Sequence, residues 1–79
     1  MYGLAACLVR TMLKANHVEC EDWGLPVRLG FALHESAKDA NMESTLALFR
    51  TWLPQLRGIE DAKLAPFATQ WLRFLALKA

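Results

Sequence analysis

The chain has 79 residues, 54% of them hydrophobic, with nine Lys and Arg against eight Asp and Glu for a formal charge of +1. That length holds one domain, residues 1–79, and a domain of this size buries only ~60% of the surface its unfolded chain exposes, so packing partners matter. A net charge of +1 supplies almost none of the phosphate neutralisation that nucleic-acid binding requires. Two cysteines, Cys7 and Cys20, are too few for a stapled secreted scaffold, and no basic segment precedes the apolar start as in a signal peptide. A reducing, cytoplasmic setting is the expectation.

Tyr2 to about Asn16 reads as a first amphipathic helix, with Tyr2, Ala5, Leu8 or Val9, Met12 and Ala15 at three-and-four spacing and Arg10 and Lys14 on another flank. Two apolar stripes can be drawn on it, one through Leu4, Leu8 and Ala15 and one through Ala6, Val9 and Leu13. So wide a face marks a helix that is either central or shared with a partner. From His17 to Leu25 the acidic cluster Glu19, Glu21 and Asp22, then Trp23 and Gly24, reads as a loop.

Pro26 suits a first helical position, where its missing N–H has no acceptor to lose. A second helix runs from there to about Lys38, with the stripe Leu29, Leu33 and Ala37 flanked by Val27, Phe31 and His34, and with Gly30 permitting close approach of another helix. Asn41 can cap a third helix and Glu43 sits near the positive end of its dipole. Its face is Met42, Leu46, Phe49, Leu53 and Leu56, widened by Leu48 and Trp52. Pro54 removes a helical bond and clashes with the preceding turn, so the helix ends near Trp52 or bends there, with Gly58 closing the last turn.

Ile59 to Leu64 reads as a separate short turn capped by Asp61. A last helix begins near Pro66 and carries Phe67, Trp71, Phe74 and Leu75 with Ala68 and Leu72 as a broad aromatic face. The fold class expected is all-α, a compact bundle of four short amphipathic helices. Trp52-Leu53 and Trp71-Leu72 open a faint internal echo of the kind two core helices often share. Leu29-Gly30-x-x-Leu33 with Pro54 resembles the spacing of a tetratricopeptide helix pair, but the pattern departs at Met42 and Phe49, where small residues are preferred, and has no second copy. No family membership follows.

Catalytic chemistry finds little footing. His17-x-x-Cys20 beside Glu19 and Glu21 offers zinc-type ligands at only one short spacing, where closed sites pair two. Cys7, with no cationic neighbour in sequence, reads as a small core residue, and His34 as a packed side chain. No enzyme activity, cofactor or metal is therefore expected. No apolar segment reaches the ~20 residues of a membrane span.

What remains is protein binding. Aromatic residues and Met are enriched at interfaces, and three Trp, four Phe, one Tyr and three Met are many for such a chain. Tyr2, Met12 and Leu13 on the first helix, Trp71, Phe74 and Leu75 on the last, and Trp23 in the acidic loop are the expected partner-binding residues. The reading is a small adaptor, chaperone or inhibitor-like regulator that binds another protein and self-associates as a homodimer through its terminal helices. On that reading Trp71→Ala and Leu13→Ala weaken association more than helicity. The alternative is a helix-turn-helix-type DNA-binding regulator using the second and third helices, with Arg50 as its chief donor.

Overall fold

The computed structural model describes residues 2–19 and 23–78, apart from the side chains of Tyr2 and Lys78. Cys20, Glu21 and Asp22 lie outside the described residues, and with them the His17-x-x-Cys20 pair and most of the acidic cluster. The described chain forms four α-helices: α1 (Tyr2–Ala15), α2 (Gly24–Glu35), α3 (Met42–Trp52) and α4 (Asp61–Lys78). Short 3₁₀ turns at Ala37–Asp39 and Pro54–Leu56 join the later ones. The all-α bundle expected from the apolar periodicity is the fold observed.

Several helix boundaries have a local cause. At the end of α1, His17 takes a left-handed backbone with φ of 60°, a conformation that glycine usually supplies and that His adopts more readily than most residues. The Val18 N–H then bonds the Leu13 carbonyl at 2.9 Å and the His17 N–H the Lys14 carbonyl at 3.1 Å. That pair of bonds is a Schellman closure, and Val18, packed against the core, supplies the apolar contact that accompanies it. Helix α2 begins at Gly24, two residues before the expected start. Pro26 falls at its third position, still within the first turn, where backbone N–H groups have no intrahelical acceptor. The expected extension to Lys38 tightens into the 3₁₀ turn after Ser36, whose hydroxyl bonds back to the Ala32 carbonyl at 3.0 Å.

Asn41 caps α3 as its sequence position implies. Its side-chain oxygen accepts from the Ser44 N–H at 2.8 Å, and the Ser44 hydroxyl accepts from the Asn41 N–H at 3.0 Å, a reciprocal capping box. Pro54 ends α3 at Trp52 rather than bending it, because Leu53 before the proline is held at φ −126° and ψ 82°, away from helix. Gly58 does not adopt a positive φ, so it does not close the turn as a left-handed cap.

Two expectations about α4 are corrected. The short turn at residues 59–64 and the last helix are one continuous element, and Pro66 lies inside it. The tertiary contacts of Leu64, fully buried upstream of the proline, outweigh the bond that Pro66 cannot donate. Asp61 does not serve as a side-chain cap. It starts the helix and pairs with Arg50 at 2.6 Å, while the same Arg50 nitrogen donates to the Ile59 carbonyl at 2.8 Å.

The helices close a ring, α1 on α2, α2 on α3, α3 on α4 and α4 on α1, with α1 and α2 in the most extensive contact. Ala5, Ala6 and Gly30 are all buried on those two helices, so little side-chain bulk holds them apart. Val9, Met12, Leu13, Leu29, Leu33, Phe49, Leu53, Leu56, Leu64, Ala68 and Trp71 fill one core.

Candidate functional site: an apolar groove between the terminal helices

Helices α1 and α4 leave an open groove of about 270 Å³ between them, lined by Leu4, Cys7, Leu8, Thr11, Gln70, Trp71 and Phe74. The lining pairs the start of α1 with the latter half of α4, as antiparallel neighbours should. Trp71 forms its floor, 1% exposed, with Phe74 stacked on it at 5.5 Å and the His34 ring meeting it edge-on at 5.1 Å. Leu4, 57% exposed, stands at the mouth, and Leu77 near the end of α4 is 88% exposed.

No lining residue carries a charge, and the two polar ones add little direction. The Thr11 hydroxyl is turned inward, donating to the Cys7 carbonyl at 2.9 Å, which leaves the Gln70 amide at the rim. An apolar cavity of ~150 Å³ accepts a benzene-sized guest. This groove therefore takes one or two large apolar side chains and falls short of the ~300–1,000 Å³ of a typical small-molecule site.

The residues expected to bind a partner divide sharply. Met12, Leu13 and Trp71 are core residues with almost no accessible surface, so the expectation that they face a partner is corrected: they lie on the inner stripe of α1 and under the groove of α4. Phe74 and Leu75 are half-buried at the edge of the core. Trp23 is 44% exposed and has the Arg10 guanidinium over its ring at 4.5 Å, so it stands at the surface with a cation against one face. The Tyr2 side chain lies outside the described residues. Cys7, expected in the core, is an exposed free thiol on the groove wall. The groove residues Leu4 and Leu8 were legible as the first of the two α1 stripes, but nothing local distinguishes an outer stripe from an inner one.

Among the described residues no group of three or more His, Cys, Asp and Glu is placed to hold a metal ion, and no helix is long and apolar enough to cross a membrane. Arg50, the donor that a helix-turn-helix reading would send to DNA, is occupied by Asp61 and the Ile59 carbonyl. Comparison with family models, curated proteins and solved structures finds no match to this chain.

Proposed function

We propose that this chain is a small protein-interaction module that seats apolar side chains of a partner protein in the groove between α1 and α4. The observation that carries the reading is the groove itself: an uncharged, open cleft with a rigid aromatic floor and Leu4 exposed at its mouth. Interface energy concentrates where a large apolar anchor enters a well-packed pocket ringed by contacts that exclude water. A floor of Trp71 and Phe74 held by the core meets the pocket half of that requirement with little ordering cost on binding. An adaptor, chaperone or inhibitor-like regulator would use such a surface, and the DNA-binding alternative loses its chief donor to the internal contacts of Arg50.

The test compares the native chain with Leu4→Glu and Cys7→Arg, both at exposed positions, as baits for partner proteins from a cell extract. The expected outcome is a protein retained by the native chain and lost, by about tenfold or more, with both variants, since a charge set in an apolar contact costs more than 1.4 kcal/mol. Equal retention by all three baits, or no protein retained above background by the native chain, overturns the reading.

A further inference from the structure

A second exposed apolar surface lies away from the terminal groove, on α2. Arg28, Phe31, Ala32 and Glu35 recur at spacings of three and four and therefore share one face of the helix. With Trp52 of α3 they line a cleft of about 280 Å³. Phe31 is 43% exposed and Trp52 37%, while Arg28 and Glu35 are exposed at the two ends.

The order of these residues is its own complement. Arg28 and Glu35 lie equally far, about 5 Å along the helix axis, on either side of the midpoint between Phe31 and Ala32. They are about 10 Å apart on one chain, too far to pair with each other, and neither has an ion-pair partner among the described residues. A twofold axis through that midpoint lays a second α2 antiparallel across the first. Arg28 then comes level with Glu35 of the second copy, Glu35 with its Arg28, and the bulky Phe31 with the small Ala32. A parallel arrangement would set Arg28 against Arg28.

We infer that the α2 face is a homodimer surface, in which two copies pack antiparallel through Phe31, Ala32 and Trp52 and are fixed in register by two reciprocal Arg28–Glu35 pairs. The symmetry is that of an isologous interface, where residue i meets j and j meets i. The occupant is a second copy because the face is complementary to itself, each copy supplying the opposite charge that the other's Arg28 and Glu35 require, whereas the terminal groove carries no charge and imposes no such register. This relocates the self-association expected at α1 and α4 and is independent of the partner-binding reading above. Two turns of helix and one added Trp supply less than the ~800 Å² per partner of a standard interface, so the dimer is weak, with half-association at roughly tens of micromolar.

Sedimentation of the full chain across a wide concentration range tests the inference, with circular dichroism verifying the fold of each variant. Arg28→Glu turns both pairs repulsive, as does Glu35→Arg, and each is expected to weaken self-association about thirtyfold. The two variants mixed together are expected to form a heterodimer of near-native affinity, because every 28–35 contact is then opposite in sign. Phe31→Ala, which leaves the charges in place, is expected to weaken the dimer about tenfold. Leu4→Glu and Cys7→Arg are expected to leave it unchanged, so that loss of the partner groove and loss of the dimer are read separately. A native chain that stays monomeric throughout, single-charge variants that associate as the native chain does, a mixture that stays monomeric, or a dimer abolished by Leu4→Glu would each overturn it.

Discussion

Three side chains carry an environment that their own sequence neighbourhoods do not announce. Thr45 is buried, and its hydroxyl has no hydrogen-bond partner, although a threonine beside Ser44 at the start of α3 reads as a surface residue. Leaving a buried hydroxyl unpaired costs about 1–3 kcal/mol, and valine has the same shape without that cost. Thr45→Val is therefore expected to stabilise the fold by about 1 kcal/mol, a rise of roughly 4–8 °C in thermal midpoint for a domain of this size, measurable by calorimetry. Among the described side chains, the indole N–H of Trp71 is likewise buried without a partner. Its ring is too well used by the core, between His34 and Phe74, for the orphan N–H to displace it. Cys7 is the converse case, a residue type most often buried that here faces the groove.

At the scale of the element, start and stop signals were largely legible where a side chain closes its own turn. Asn41 announced α3, and Pro54 announced its end. Prolines within a first or second turn were not legible in the same way, because whether a helix begins before or at the proline depends on what packs around it. Pro26 proved to be two residues inside α2, and Pro66 five residues inside α4. A proline in a helix interior costs about 3 kcal/mol relative to alanine, and part of that is offset by its smaller unfolded-state entropy. Since Pro66 is exposed and little packing is lost with its ring, Pro66→Ala is expected to stabilise the chain by about 1–2 kcal/mol. Urea unfolding with an unchanged slope and a later midpoint checks it; an earlier midpoint would mean that the proline shapes α4 in a way the core needs.

On the scale of the whole molecule, the chain is about as closely packed as its length allows. The Cα radius of gyration is 11.3 Å, against about 12 Å for a compact chain of this length. The accessible surface is 5135 Å², against about 4,800 Å² for a folded monomer of this size. Most aliphatic residues, with Phe49 and Trp71, are accommodated by one core, and of the large apolar side chains left exposed Leu4, Phe31 and Trp52 line the two clefts while Trp23, Leu25, Met42 and Leu77 lie outside them. Trp71→Ala consequently changes meaning. Removing a buried tryptophan costs about 3–5 kcal/mol, a large share of the roughly 4–12 kcal/mol that holds a chain of this length folded. It is expected to lower helicity and thermal midpoint together, rather than to weaken association at constant helicity; retention of the native midpoint would remove Trp71 from the core. The sequence by itself determined the helical class, the number of helices, the cap of α3 and its proline stop, because each follows from hydrogen bonds and apolar spacing within a few residues. Only the tertiary structure decided which stripe of α1 turns inward, that Met12, Leu13 and Trp71 are core while Leu4, Phe31 and Trp52 remain exposed, and that Arg50 is tied to Asp61. Inside and outside are properties of how helices are arranged around one another, and two equally apolar stripes on one helix are equivalent until a neighbour covers one of them.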